Sequence, residues 1–228
     1  MTYDLYIGDQ TFSSWSLRGW LLFHKFDVPV RTHLVGLFNG KMAQEMEPLA
    51  PARLVPTMRT PAGEVVGESI AMLETLAEEN PDAGHWPRDA AARIYARWLV
   101  AEMHSGFGAL RSACPMQLLH VYDGFEVSDA VKGDLARIEE LFARAFERFG
   151  GSGPWLFGDY SAADAFYAPV AARIVGYDLP VSDRLAAFAM AHLEDEAFRT
   201  WRREGAKKSY DPVPYAMDIA TKPWPVAL

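Results

Sequence analysis

Two adjacent serines stand at the start of the first predicted helix. Ser13 and Ser14 end a loop that begins at Gly8, and a predominantly apolar segment follows them. A hydroxyl at a helix N-terminus can donate a hydrogen bond to an anion, and the helix dipole favours negative charge there. Serine in this position also often caps the helix by accepting a backbone hydrogen bond. The residue type alone leaves both an anion-binding role and a structural role open.

A second polar pair, Glu68 and Ser69, lies where a predicted strand ends and a helix begins. The first N–H groups of a helix have no partner within it and attract a carboxylate. We therefore treat the pair as a candidate site for a ligand carboxylate. A plain helix cap is the alternative interpretation.

Metal and disulfide chemistry has little support in the sequence. Cys114 is the only cysteine, which excludes an intrachain disulfide, a CxxC redox pair and a multi-cysteine zinc site. The six histidines lack the HxxxH and HExxH spacings of zinc-binding helices. We predict that the protein holds no metal.

The first 80 residues alternate between strand-like and helical patterns. Periods of two and of 3.6 residues assign strands to 3–7 and 28–34, a hairpin to 54–67 and helices to 15–26 and 70–79. In the first helix Arg18 and Lys25, two turns apart, mark the only polar stripe. We expect both side chains to face water.

A composition shift marks the end of this first part. Two prolines and a glycine fall between residues 80 and 87, and long helical patterns follow them. We predict a first domain over 1–80 and a second over 88–228. Ser161 and Asp164 have the spacing of a capping box before an apolar helix, and we interpret them as structural.

The charge pattern argues against two kinds of partner. The chain has 228 residues, 50% of them hydrophobic, and a formal charge of -8 without a block of like charge. Nucleic acid and anionic membranes reward clustered Lys and Arg, so neither is expected as a partner. The sequence contains no basic region followed by an apolar stretch at its start and no long apolar run. A cytoplasmic protein without a membrane span is therefore expected.

Four motifs, in the right order, resemble the glutathione transferase family across nearly the whole chain. They are Ser13-Ser14-Trp15-Ser16-Leu17-Arg18, Val55-Pro56-Thr57, Glu68-Ser69 and Phe157-Gly158-Asp159-Tyr160-Ser161-Ala162-Ala163-Asp164. The serine pair is most similar to the zeta class, a serine-type class in which cysteine stands where this chain has Trp15. The resemblance implies α/β plus all-α architecture: a thioredoxin-like N-terminal domain that binds glutathione, then an all-helical C-terminal domain.

The resemblance also implies roles for individual residues. Ser13, assisted by Ser14, would stabilise the glutathione thiolate, and Arg18 would add a distant positive field. The glutathione-binding residues would be Lys41, Val55, Pro56, Glu68 and Ser69. In the family the proline of the second motif is cis and the preceding backbone pairs with the cysteinyl part of glutathione, while the Glu-Ser pair takes the γ-glutamyl ammonium and carboxylate groups.

An apolar wall beside the thiolate would complete the site. Aromatic and methionine side chains suit varied ligands, and the candidates are Phe12, Trp15, Met103, Phe107 and Leu110. The last three share a helical face with Tyr95 and Leu99, so a purely structural role in the core is the alternative. Two roles are open for His104 and Arg111: they could orient a polar substrate, but we favour a hydrogen-bonded interdomain histidine and a surface arginine.

The resemblance leads to one preferred activity and two alternatives. The preferred one is a glutathione transferase, active in detoxification, that directs the thiol of glutathione at small hydrophobic electrophiles. The alternatives are a zeta-like, glutathione-dependent cis-trans isomerase of the maleylacetoacetate type and a binding protein that performs no catalysis. Glutathione is the expected cofactor, as a co-substrate and without a metal, and the family is typically homodimeric.

Overall fold

A four-stranded mixed sheet organises the N-terminal part of the computed structural model, which describes residues 2–228. Met1, the first residue of the predicted domain 1–80, lies outside the described residues. The strand order is β2-β1-β3-β4, with β1 and β2 parallel and the other pairs antiparallel. The elements are β1 (Tyr3–Ile7), α1 (Ser14–His24), β2 (Val30–Leu34), α2 (Met42–Met46), β3 (Thr57–Arg59), β4 (Val65–Gly67) and α3 (Ser69–Glu79).

The rest of the chain is mostly helical. Its helices are α4 (Ala90–Ser105), α5 (Gly108–Ala113), α6 (Asp129–Phe149), α7 (Ala162–Gly176), α8 (Asp183–Glu194) and α9 (Glu196–Ala206). The short strands β5 (Val121–Tyr122) and β6 (Thr221–Lys222) pair antiparallel within this part. Sequence patterns do not predict this pair, because two residues are too few to show an alternation.

Helix α7 lies at the centre of the helical part and is buried along nearly its whole length. It packs against α1, α4 and α8. The predicted capping box is confirmed at its start: the Asp164 carboxylate accepts hydrogen bonds from the Ser161 amide and hydroxyl, both at 2.8 Å. Because α7 contacts both α1 and α4, it joins the sheet part to the helical part through the core.

Residues 16–23 of helix α1 are all buried, and this corrects the predicted polar stripe. The Arg18 side chain is buried, and Lys25 pairs with the Asp195 carboxylate at the start of α9. Gly19 permits a close approach of α1 to the chain before β3, because a Cβ atom there would lie 2.9 Å from Cβ and Cγ of Pro56. Periodicity identifies α1 but does not show which of its polar residues gain partners on folding.

Candidate functional site

A cavity of about 840 Å³ opens between the sheet part and the helical part. The sheet part contributes the loop before α1, the segment after β2, the start of α2, the residues before β3 and the start of α3. The helical part contributes α5, the segment after it, and α7. Among the predicted site residues, those that line the cavity are Phe12, Ser13, Ser14, Trp15, Val55, Pro56, Glu68 and Ser69.

Ser13 is the N-cap of α1 and faces the cavity. Its Oγ atom accepts a hydrogen bond from the Ser16 amide at 3.4 Å and lies 2.8 Å from the Ser16 Oγ atom. The Ser16 Oγ atom in turn accepts the Gly8 amide hydrogen at 2.9 Å. Ser13 donates its hydroxyl hydrogen to Ser16 in this arrangement. When Ser13 donates to a ligand instead, the Ser16 hydroxyl can rotate and donate to Ser13. Sequence reasoning missed Ser16, although it belongs to the same motif.

The loop before Ser13 is held by a buried carboxylate. Oδ1 of Asp9 accepts hydrogen bonds from the amides of Thr11 at 2.8 Å and Phe12 at 3.2 Å. The Lys208 ammonium lies 3.5 Å from Oδ2 of the same residue. Gly205 of α9 approaches closely, since a Cβ there would be 2.7 Å from Oγ1 of Thr11. The position of Ser13 thus depends on a segment about 190 residues further along the chain.

The start of α3 has an unused hydroxyl beside a strained residue. Ser69 is buried, and within residues 2–228 its Oγ atom has no hydrogen-bond partner. Glu68 has a φ of 63° and does not cap the helix with its side chain. A non-glycine residue at positive φ costs roughly 1–3 kcal/mol, and such strain often accompanies a ligand site. The arrangement can receive a carboxylate at the helix start.

The remaining predicted binding residues lie in two places. Val55 and Pro56 line the cavity at the start of β3, and the peptide bond between them is cis. Lys41 is the N-cap of α2 and is exposed. The cavity lining includes its neighbour Met42 but does not include Lys41.

Three predicted pocket residues lie in the core. Met103, Phe107 and Leu110 are buried and are absent from the lining of the cavity as described for residues 2–228. The predicted helical face is interrupted, because α4 ends at Ser105 and Phe107 has a φ of 56°. After this break α5 presents a different face to the cavity, to which Gly108 and Arg111 belong.

Two arginines, Arg18 and Arg111, flank the indole of Trp15, which lines the cavity. The Cζ atoms of Arg18 and Arg111 lie 4.5 and 4.8 Å from the ring centroid. Burial, Arg173 and Arg111 lower the pKa of Arg18 to about 9, and burial and Arg111 lower that of Arg173 to about 10. Arg18 and Arg173 remain cationic at neutral pH. Arg111 and Arg173 line the cavity, so Arg111 is not the surface arginine that the sequence suggested.

His104 lies between the two charged regions of the site. The centroid of its ring lies 5.1 Å from that of the Trp15 ring, and its Nε2 atom lies 3.6 Å from Oε2 of Glu68. Desolvation, with Arg18 and Arg111, lowers the pKa of His104 more than Glu68 raises it. The imidazole is therefore neutral at pH 7 and adds no positive charge to the cavity.

Metal-binding clusters and membrane-spanning helices are both absent from the described part of the chain. Residues 2–228 contain no group of three or more His, Cys, Asp or Glu side chains arranged to hold a metal ion. Within the same residues, each helix is too short or too polar to cross a membrane.

The sequence of the region that surrounds Ser13 and Ser69 matches a known family. The model of the glutathione S-transferase N-terminal domain matches residues 12–79. Over residues 12–79 the chain is therefore similar to the glutathione S-transferase N-terminal domain. This match confirms the family resemblance of the serine, Val-Pro and Glu-Ser motifs, which all fall within these residues.

Two curated proteins are similar to part of the chain. A probable maleylacetoacetate isomerase of Caenorhabditis elegans is 32% identical over 107 residues, which are 47% of this chain and 49% of that protein. The maleylacetoacetate isomerase of Dictyostelium discoideum is 27% identical over 125 residues, 54% of this chain and 55% of that protein. The chain therefore spans about half the length of the curated relatives it matches, and their names support a zeta-like relationship.

Solved structures share the fold of most of the chain. A glutathione transferase homologue from Burkholderia with bound glutathione has a TM-score of 0.67 at 19% identity, covering 92% of this chain and 100% of its own. Human glutathione S-transferase T1-1 has a TM-score of 0.63 at 21% identity and covers 90% of each chain. The predicted glutathione transferase fold, with a thioredoxin-like first part and a mostly helical second part, is confirmed.

Proposed function

We propose that this protein is a glutathione transferase that activates the thiol of glutathione for attack on hydrophobic electrophiles. The proposal rests on one observation. The same cavity is lined by Ser13, at the start of α1, and by Ser69, whose hydroxyl at the start of α3 has no hydrogen-bond partner within residues 2–228. A tripeptide with a thiol at its centre and a carboxylate at its end fits these two polar ends.

Glutathione would bind along the sheet side of the cavity. Ser69 and the first amides of α3 would receive the γ-glutamyl carboxylate, and Glu68 its ammonium group. The backbone at Val55, next to Pro56, would pair with the cysteinyl part. Lys41 would meet the glycyl end once the ligand extends past Met42, which lines the cavity.

The chemical task of the protein is to hold a thiolate at neutral pH. A free thiol with a pKa of about 8.5 is only about 3% ionised at pH 7. Lowering the pKa by about two units requires roughly 2.7 kcal/mol, which one or two hydrogen bonds to the anion supply. Ser13, with Ser14 beside it, would donate them, and the N-terminus of α1 favours the charge. The thiolate sulfur then bonds to the electrophilic carbon as the leaving group departs.

A glutathione-dependent cis-trans isomerase is the second candidate, favoured by the names of the two curated relatives. In that reaction the thiolate adds to a carbon–carbon double bond, the resulting single bond rotates, and the thiolate is expelled again. Glutathione is not consumed. Turnover of maleylacetone at constant glutathione concentration would support this activity, whereas its absence would exclude it.

Substitution of Ser13 tests catalysis against a protein that only binds glutathione. We expect Ser13→Ala to lower kcat/KM for conjugation about 100-fold, or about 2.7 kcal/mol of barrier, while glutathione affinity stays nearly unchanged in calorimetry. Unchanged turnover in this variant would show that Ser13 is not catalytic. If the wild-type protein binds glutathione but conjugates it to no electrophile, the protein only binds its ligand.

Ser128→Ala provides the matched control. Ser128 is the N-cap of α6 and accepts the Val131 amide hydrogen at 3.3 Å, as Ser13 accepts that of Ser16. Both substitutions remove a helix cap and cost about 1 kcal/mol of stability. Only the Ser13 variant should lose turnover, so loss in both would indicate a stability effect.

We further propose that the protein acts in the cytoplasm as a homodimer that detoxifies small electrophiles. Ile94 and Trp98, one turn apart on α4, are exposed large apolar side chains of the kind that a dimer interface buries. Light scattering at working concentration tests the oligomeric state, and a monomer would contradict the homodimer.

A further inference from the structure

We propose that Asp9 is a positioning residue for catalysis, which acts through Ser13 and whose negative charge is offset by Lys208 just after α9. The inference rests on the proposed function and deepens it, because it concerns how the Ser13 hydroxyl is held for the thiolate. Among the described residues 2–228, the cavity lining does not include Asp9, whose side chain is only 3% exposed. Any effect of Asp9 on the reaction must therefore pass through the loop that carries Ser13.

Asp9 forms a hydrogen bond with each of the three residues that lead into α1. Its Oδ1 atom accepts the amide hydrogens of Thr11 and Phe12, at 2.8 and 3.2 Å, and its carbonyl oxygen accepts that of Ser13 at 2.8 Å. Hydrogen bonds to a charged acceptor are roughly twice as strong as those between neutral groups. A single residue thus fixes the backbone that carries the proposed hydrogen-bond donor.

Gly8, the residue before Asp9, shows how little room the Ser13 hydroxyl has. A Cβ atom on Gly8 would lie 3.3 Å from Oγ of Ser13 and 3.0 Å from Cγ2 of Val55. The loop is therefore packed against both the proposed thiolate donor and the residue proposed to pair with the cysteinyl part of glutathione. A shift of the loop would change the spacing of these two contacts, and a misplacement of about 1 Å can cost about 100-fold in rate.

The charge of Asp9 also acts on the thiolate. A nearby like charge disfavours ionisation, so a carboxylate in this loop opposes the formation of a thiolate at Ser13. Within residues 2–228, the cation that pairs with Asp9 is Lys208, whose ammonium lies 3.5 Å from Oδ2. The Lys208 side chain is 51% exposed, so solvent screens the pair and its effect is modest. Asp9 can therefore hold the loop as a carboxylate while Lys208 limits its repulsion of the thiolate.

Asp195 provides a matched control elsewhere in the chain. Its Oδ1 atom accepts the amide hydrogens of Ala197 and Phe198, two and three residues further along, and its Oδ2 atom pairs with the Lys25 ammonium. Asp9 has the same arrangement, with amides two and three residues further along and a lysine on Oδ2. Asp195 stands at the start of α9, however, and its contacts do not lead to Ser13.

Substitution of the two carboxylates tests the positioning role. We expect Asp9→Ala to lower kcat for conjugation about 10- to 100-fold, while KM for glutathione changes less because Ser69 and Val55 remain in place. Asp9→Asn keeps an oxygen that accepts the same amides and should retain most of the activity. Asp195→Ala should lower stability and leave kcat unchanged. Equal losses of kcat in Asp9→Ala and Asp195→Ala would overturn the proposal.

The counter-charge is tested by the ionisation of bound glutathione, followed by the ultraviolet absorbance of the thiolate across pH. We expect Lys208→Met to raise the pKa of the bound thiol and Asp9→Asn to lower it, each by less than about one unit. The double variant should titrate as the wild-type protein does. Shifts in the same direction, no shift in either variant, or a shift that persists in the double variant would overturn the proposal, and none of these variants depends on the folding of Asp9→Ala.

Amide hydrogen exchange separates this proposal from the proposed function. If the wild-type protein neither ionises nor conjugates glutathione, the proposed function fails, but exchange measured by NMR still tests the loop. We expect the Thr11 and Phe12 amides to exchange at least about 10-fold faster in Asp9→Ala, and by a smaller factor in Asp9→Asn, with no change in Asp195→Ala. Wild-type exchange rates in both Asp9 variants would overturn the positioning role.

Discussion

The proton that Ser13 offers to a ligand depends on a second serine. Ser16 accepts the Gly8 amide hydrogen and lies 2.8 Å from the Ser13 hydroxyl. With its oxygen occupied as an acceptor, Ser16 is free to donate to Ser13, and a donated hydrogen bond polarises the hydroxyl that receives it. Ser16 is therefore a positioning residue, because it would act on glutathione only through Ser13.

Ser16→Ala should consequently alter the ionisation of bound glutathione. We expect kcat/KM for conjugation to fall about 10-fold and its pH profile to move to higher pH, because a weaker donor at Ser13 stabilises the thiolate less. Stopped-flow absorbance of the thiolate across pH measures the shift. Lower activity with an unchanged pH profile would mean that Ser16 only braces the loop at Gly8.

Single residues also mark the limit of what the sequence reveals about the site. The family resemblance implies a shared site for Ser13, Ser14, Glu68 and Ser69. All four line one cavity, and their roles there stay a prediction. Arg111 and Arg173 were not predicted as a pair, because they are 62 positions apart and no local pattern joins them. Their proximity exists only after α5 and α7 pack.

At the level of helices and strands, the spacing of apolar residues locates the helices of the sheet part well. The predicted helices 15–26 and 70–79 correspond to α1 (Ser14–His24) and α3 (Ser69–Glu79). Periodicity fails where an apolar face continues across the break between two helices. The apolar positions from Tyr95 to Leu110 keep helical spacing, yet α4 ends before Gly106 and α5 begins at Gly108. Spacing cannot reveal this break, because the residues on both sides of it are buried.

The contact of α1 with Pro56 provides a test of packing. Gly19→Ala would place a methyl group 2.9 Å from two atoms of a rigid proline ring. Overpacking costs about 1–3 kcal/mol, which outweighs the roughly 1 kcal/mol that alanine gains over glycine within a helix. We expect the free energy of unfolding in urea to fall by about 1 kcal/mol or more.

Gly133→Ala is the control for that experiment. Gly133 lies within α6, and a Cβ there meets no atom within 4 Å. Helix propensity alone should raise the free energy of unfolding of this variant by up to about 1 kcal/mol. Stabilisation of both variants to the same extent would show that Pro56 yields to the added methyl group.

The stability of the whole molecule should depend on pH through its buried histidines. His192 is 1% exposed and is surrounded by the rings of Trp155, Tyr160 and Phe188. Desolvation, with a smaller effect of Lys25, lowers the pKa of His192 from 6.5 to about 3. Between these two values the unfolded chain binds a proton that the folded protein does not. The contribution is complete above pH 6.5 and is lost as the pH falls toward 3.

His192→Leu should therefore make stability less sensitive to acid. Between pH 6 and 4, we expect the decline in the free energy of unfolding to be up to about 1.4 kcal/mol per pH unit shallower than in the wild-type protein. Urea titrations at several pH values measure the slope. Phe188→Leu, a neutral neighbouring change, should lower stability at every pH without altering the slope. A parallel decline in all three proteins would show that His192 does not bind the proton on unfolding.

Whole-molecule architecture was the most predictable property, because four motifs in order identify the fold even when each is weak. The contacts that complete the site were not predictable from them. Asp9 meets Lys208, Thr11 meets Gly205, and the Phe12 ring packs against those of Tyr210 and Tyr215. The spacing of residues within either segment cannot predict such long-range pairs.

These contacts between distant segments also bear on how the protein is made. Translation delivers residues 9–13 long before their partners at 205–215. The nascent sheet can form beforehand, whereas the loop that carries Ser13 gains these supports only after α9 has been made. A polypeptide terminated before residue 205 would thus be released without the contacts that hold this loop.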